Sequence, residues 1–339
     1  MSSDGAGSDS VAAAEVAPVR RLLIMPDSGR EAVQALIDAA ASSITLKIYT
    51  LTDPILLAAL LRAQARGVAV RVMLNAERND RSRDNDATRL ALVGGGIEVR
   101  WGSSRHAATH EKSLVIDGQE ALISSFNYAE KYFTDTRDYG IVTRDPAEVH
   151  EIVACFEADW NEHAFCPAAD SRLLWAPGTS RRQVAALLGQ ARHCIHLQHA
   201  KLVDATVLLH LMEALERGVT VRFLCPGAKG LHAWDKPETF AALRILRNAG
   251  GKVRRLKTPK MHGNLTLVDD KVAQLGSLHF HHTAADFRRE LSIEVDEPAI
   301  VSALAARFRQ DWDAGERYVP PDPIAHGDTD PVDDEIFKV

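Results

Sequence analysis

Apolar positions follow two rhythms along the chain. Short β-branched runs such as SITLKIY (43–49), VAVRVML (68–74) and GIEVRW (96–101) read as strands. Between them lie stretches with three-to-four-residue spacing. In PILLAALLRAQARG (54–67), Pro stands near the start and Gly just past the last turn, the asymmetry of a helix. A more polar helical stretch precedes GIEVRW. Three short strands follow, KSLVID, EALISSF and DYGIVT, with a turn at Asp117-Gly118, and PAEVHEIVACFEADWNEH (146–163) reads as a closing helix. The order then starts again: CIHLQHA, ATVLLHLMEALERG, VTVRFLC, KPETFAALRILRNAGG, KVRRL and three strands after His262. Strand–helix alternation followed by clustered strands predicts an α/β fold of mixed sheets flanked by helices.

The second pass is an internal repeat. ARGVAVRVML (65–74) returns as ERGVTVRFLC (216–225), shifted by 151. His110 and His262, Asp117 and Asp269, Ser125 and Ser277, and Asp138 and Glu290 each keep a shift of 152, as do FEADW (156–160) and FRQDW (308–312). An ordered series in one register predicts two homologous halves, 20–163 and 171–318, joined by a linker at 164–170. Residues 1–19 read as a disordered leader and 319–339 as an acidic tail.

Charge changes the picture only at the ends. The net charge is −6, but residues 1–18 hold −3 and residues 319–339 hold −5, which leaves the body at +2. A nearly neutral body argues against tight sequence-independent binding of nucleic acid, although it allows a local basic cleft. No stretch of 18 uninterrupted apolar residues predicts a transmembrane helix, and the start has no secretory apolar core. Cys155, Cys166, Cys194 and Cys225 lack metal-type spacing and read as buried or semi-buried thiols of a reducing compartment. A cytoplasmic location is therefore expected.

The repeated segment carries the chemistry. Its first copy reads His110-x-Lys112, four residues, Asp117, six residues, Ser124-Ser125-x-Asn127. In a strand, residues i and i+2 share a face, so His110 projects with Lys112 and Ser125 with Asn127. An imidazole, an ammonium, a hydroxyl and an amide suit a phosphate. Asp117 and Asp269, each at a strand–turn boundary, read as turn-capping residues.

This pattern resembles the phospholipase D superfamily, whose HxK(x)4D(x)6GSxN signature occurs twice in most members. The resemblance covers about 20–318. It implies two α/β halves packed around one shared active site, and phosphodiester cleavage or exchange through a phosphohistidine, with no metal and no cofactor. It implies a phospholipid or other phosphodiester as substrate, acted on by a monomer in peripheral contact with the membrane. His110 is read as nucleophile and His262 as general acid, an order the sequence leaves open. A carboxylate orients each histidine: carried over by position, Asp138 serves His110 and Glu290 serves His262. Lys112, Ser125, Asn127, Asn264, Ser277 and His279 are expected to hold the phosphate.

The second copy departs from the signature: His262-x-Asn264, Asp269, then Gly276-Ser277-x-His279. Three readings follow: an active but asymmetric site in which Asn264 still donates a hydrogen bond and a protonated His279 supplies part of the missing charge; a weakened phosphate- or anionic-lipid-binding cleft; and a metal site made by HFHH (279–282) with His262. A nuclease-type phosphodiesterase is the alternative enzyme. Tyr49, Trp101 and Trp234 are candidates for the substrate mouth.

Overall fold

The apolar runs at Ser43–Ile48 and Ala69–Leu74 lie side by side and parallel, because the helix between them, Pro54–Ala65, must return the chain to the same edge. That helix starts where Asp53 accepts hydrogen bonds from the Ile55 and Leu56 N–H groups, both at 3.0 Å. The second half repeats the device. Asp204 caps Ala205–Glu216 through the N–H groups of Thr206 and Val207, and Cys194–Gln198 runs parallel to Thr220–Cys225. The computed structural model describes residues 18–78 and 80–322; most of the leader and tail expected from the sequence lies outside the described residues.

Each half forms one mixed sheet. The first runs in the order 20–25, 136–143, 120–124, 113–116, 43–48, 69–74 and 98–101; the second in the order 316–317, 252–255, 220–225, 194–198, 264–268, 272–276 and 288–295. Just past the segment expected to join the halves, Leu173–Ala176 adds a strand antiparallel to Arg288–Val295. Asp117 and Asp269 prove structural, as the sequence predicts, but they tie down more than their own turns. Asp117 accepts from the N–H groups of Ala41, Ser42 and Ser43, and Asp269 from those of Arg192, His193 and Cys194. Each carboxylate thus fixes the entry of the strand beside it.

Among the described residues, three large apolar clusters build most of the core. One lies under the outer helices of each half. The third is shared, taking Ile123, Tyr139 and Ile141 from the first sheet, Leu265, Leu275 and Leu291 from the second, and Ile152 and Phe308 from the two closing helices.

The halves also exchange backbone. Ala108–Thr109 of the first half pairs parallel with Arg288–Arg289 of the second, and Lys260–Met261 of the second pairs parallel with Thr136–Arg137 of the first. Side chains lock the exchange. Arg289 makes a bidentate pair with Asp159 at 2.9 and 2.9 Å, and Arg137 pairs with Asp311 at 2.8 Å. Asp159 and Asp311 are the acids of FEADW and FRQDW, so the repeated closing helices are what each half offers the other. All four side chains are buried. Around Asp159 the network is larger: Lys47 lies 2.7 Å from it and 2.9 Å from Glu111. The equivalent of Lys47 is Gln198, which accepts from the Tyr139 hydroxyl at 2.6 Å.

Removing one member of a buried ion network strands the others in a low-dielectric interior. Asp159→Asn would leave Lys47 and Arg289 with Glu111 as their carboxylate. It should therefore cost about 3–5 kcal/mol of stability, measured by equilibrium urea unfolding; a loss below about 1 kcal/mol would contradict this role.

Candidate active site

The exchanged strands set the two histidines. The N–H groups of His110 and Glu111 both donate to the Arg289 carbonyl, at 2.9 and 2.8 Å. Those of His262 and Gly263 both donate to the Arg137 carbonyl, at 3.2 and 2.8 Å. Gly263 is required by this close approach, since a Cβ there would stand 2.9 Å from the Asp138 Cα. Each histidine therefore hangs on the backbone of the opposite half, one residue before that half's carboxylate.

The carboxylate pairing is consequently crossed. His110 Nδ1 lies 2.8 Å from Glu290 Oε2, and His262 Nδ1 lies 2.8 Å from Asp138 Oδ1. This corrects the within-half assignment made from the shared 28-residue spacing. The spacing is a product of the repeat and is the same whether contacts form within or across the halves.

The serines take a different role from the expected one. Ser125 donates its single hydroxyl proton to Asp138 Oδ1 at 2.7 Å, and Thr136 donates to Oδ2 at 2.6 Å. Ser277 donates to the Leu291 carbonyl at 3.2 Å and accepts from the Leu291 N–H at 3.0 Å. Both hydroxyls brace the strands that carry the carboxylates, so they are engaged before any phosphate arrives. Asn264 donates to the carbonyls of Gly276 and Ser277, each at 3.4 Å, and not into the cleft. Asn127 is buried with its amide oxygen unpartnered.

Burial dominates the electrostatics. It holds the His110 imidazole well below its usual range, and the charges of Lys112 and Arg288 push the same way. His110 is thus neutral at pH 7. With its Nδ1–H given to Glu290, its Nε2 lone pair is free. Burial pushes Glu290 up to about 7 against the pull of Lys112 and Arg288. It pushes Lys112 down to about 7 against Glu290 and Asp138. Lys112 Nζ donates to the His110 carbonyl at 2.6 Å and sits 5.3 Å from the Tyr49 ring centre.

His279 does lie in the cleft, with its ring centre 5.1 Å from that of His110. Burial holds it well below its usual range, with the Lys201 charge pushing the same way, and its Nδ1 has no partner. It is neutral, which corrects the expectation that a protonated His279 replaces the charge lost at Asn264.

Aromatic rings wall both histidines: Tyr49 stands 4.7 Å from His110, and Tyr132 stands 4.7 Å from His262. Trp101 instead packs under Arg89, and Trp234 is exposed and stacked on His232. Sequence reasoning missed Tyr132, Lys201 and Arg288. The last two had a visible signal, because they stand where the first half carries Thr50 and Thr136. Nor does the structure assemble the metal site considered from HFHH. Among the described residues, the ligand-type group at that segment is Glu238, His281 and His282, without His262 or His279.

Two half-sites, each a histidine backed by the other half's carboxylate, define a two-repeat α/β protein with one cleft shared between its halves. A profile of the cardiolipin synthase PLD-like domain matches residues 33–160 and again 184–312. The chain belongs to this phospholipase D-like family. It is similar to the minor cardiolipin synthase ClsB of Bacillus subtilis, 24% identical over 61% of this chain and 56% of the relative. It is similar to the major cardiolipin synthase ClsA of the same organism, 24% identical over 75% and 59%, and to cardiolipin synthase B of Salmonella typhi, 24% identical over 71% and 66%. The chain thus spans a little over half to two thirds of these relatives. Its fold is that of phosphatidylserine synthase from Haemophilus influenzae, with a TM-score of 0.68, 14% identity, and 89% of this chain and 88% of that one covered. It is also that of polyphosphate kinase from Porphyromonas gingivalis, with a TM-score of 0.68, 20% identity, and 86% and 50% covered.

Proposed function

We propose that this chain is a phosphatidyltransferase of phospholipase D type, which removes or exchanges the headgroup of a phospholipid. The observation that carries the reading is the crossed pair of Nδ1–carboxylate contacts, which gives one cleft two oriented imidazoles. His110 Nε2 attacks phosphorus while the bond to the leaving oxygen breaks, and protonated His262 hands that oxygen its proton. Neutral His262 then takes the proton of an incoming hydroxyl, whose oxygen attacks phosphorus and releases His110. Lys112, Asn127 and Tyr49 surround the phosphoryl group on the His110 side. The cardiolipin synthase relatives favour a glycerophospholipid as donor and a second lipid alcohol as acceptor. One chain supplies both histidines and both carboxylates, so a monomer is the proposed working form. Among the described residues no helix is long and apolar enough to cross a membrane. The proposed setting is peripheral contact at the cytoplasmic face.

The test is turnover of phosphatidylglycerol vesicles in excess EDTA, with cardiolipin, glycerol and phosphatidic acid as readouts. Turnover should persist in EDTA and fall at least about a thousandfold in His110→Asn and in His262→Asn. An acid-labile phosphoryl adduct should map to His110. An adduct on His262 would reverse the assigned order, and lipid binding without turnover of any diester would replace the enzyme reading with a binding one.

The pH profile has a defined sign. Glu290 must be ionised to accept from His110, and it gains its proton as pH falls through about 7. Lys112 must be charged, and it loses its proton as pH rises through about 7. kcat/KM should therefore be a narrow bell near pH 7, and Glu290→Gln should remove the acid limb from the residual activity. A flat profile from pH 6 to pH 8 would contradict these titrations.

A further inference from the structure

We infer that Lys201, held by Asp235, is the second phosphate-facing cation of the cleft and takes the place of the lysine missing at Asn264. The inference rests on the phosphoryl-transfer reading above.

At three matched positions the first half carries Thr50, Lys112 and Thr136, and the second carries Lys201, Asn264 and Arg288. The half that loses its motif lysine gains a cation at both positions where the other half has threonine. Leu202 and Phe280 form a parallel bridge, and the Val203 N–H donates to the Phe280 carbonyl at 2.8 Å. Leu202 and Phe280 both point into the core. Their preceding neighbours, Lys201 and His279, are adjacent in register and turn to the opposite face. That face is the cleft, since the His279 ring stands 5.1 Å from that of His110. Consistently, the Lys201 charge acts on His110, His279 and Glu290.

Lys201 Nζ lies 2.5 Å from Asp235 Oδ2, and both side chains are largely shielded. Asp235 also lies 3.6 Å from His281 Nε2, which fixes the rim beside the cleft. Burial lowers the Lys201 ammonium and Asp235 opposes it. One N–H directed at Asp235 leaves two for a ligand. The motif's own candidates for the missing charge are spent: the Asn264 amide donates to backbone carbonyls, and His279 is neutral. A diester has one negative charge and its five-coordinate transition state about two, so a second cation favours the transition state over the ground state.

The experiment measures kcat/KM on bis(p-nitrophenyl) phosphate for the full chain, with thermal unfolding as the folding control. Lys201→Met should lower kcat/KM about ten- to a hundredfold. Lys201→Arg should keep most of the activity. Asp235→Asn, which leaves the cation in place, should lose less than Lys201→Met. Asn264→Lys should raise kcat/KM at least about fivefold more in the Lys201→Met background than in the native one. Lys201→Met within twofold of the native rate overturns the inference. So does an equal loss in Lys201→Met, Lys201→Arg and Asp235→Asn, which would mean a structural ion pair. If the native chain turns over no diester, the phosphoryl-transfer reading fails by itself. Calorimetric binding of tungstate then decides the inference: at least tenfold weaker binding in Lys201→Met supports it, and unchanged binding overturns it.

Discussion

Two backbone carbonyls, those of Arg137 and Arg289, organise this molecule. Each accepts two N–H groups from the opposite half, and each belongs to an arginine whose guanidinium is buried against the opposite half's closing helix. The next residue in each strand is the carboxylate that faces the opposite histidine. Backbone register, a buried ion pair and the catalytic-type contact thus occupy two consecutive residues. A shift of one residue would turn the carboxylate to the wrong face and break the ion pair together with the histidine contact. The site therefore cannot form within either half alone. The shared apolar cluster adds the non-directional part of the attraction, and the exchanged strands supply its geometry.

The twofold pattern holds for orientation and fails for charge. Both histidines have a carboxylate at 2.8 Å, but the groups around them differ. Asp138 accepts from Ser125 and Thr136 and faces His262, whereas Glu290 faces His110 and has Ser277 beside it. Lys112, Lys201 and Arg288 all act on Glu290 and His110. The cations thus gather around the neutral histidine proposed as nucleophile. Such a field favours an anionic ligand, and it weakens the case that the altered second motif has emptied the cleft of function.

Much of this was legible in the sequence, and the limits have physical causes. Periodicity and turn residues placed the central strands and helices of both halves, because each is set by local pattern and caps such as Asp53 and Asp204. The motif brought His110, Lys112, Asn127, His262 and His279 to one region. It could not show the crossing, because a repeat gives equal spacing to contacts made within a half and between halves. Ser125 and Ser277 were misread because a hydroxyl beside a phosphate motif looks like a phosphate donor. Its one proton goes instead to Asp138 in the first half and to the Leu291 carbonyl in the second. FEADW and FRQDW were visible as repeats, but their purpose is tertiary: they hold the acids for Arg289 and Arg137. The substitutions of Thr50 by Lys201 and of Thr136 by Arg288 were also visible, outside the motif where attention fell.

The crossed pairing is the central claim, and nitrogen-15 spectroscopy of the histidine rings tests it most directly. In Asp138→Asn, the ring-nitrogen resonances of His262 should shift as its Nδ1 loses an anionic acceptor, while those of His110 stay near their native positions. In Glu290→Gln the response should move to His110. A response of His110 to Asp138→Asn, with His262 unmoved, would place each carboxylate with the histidine of its own half and contradict the account.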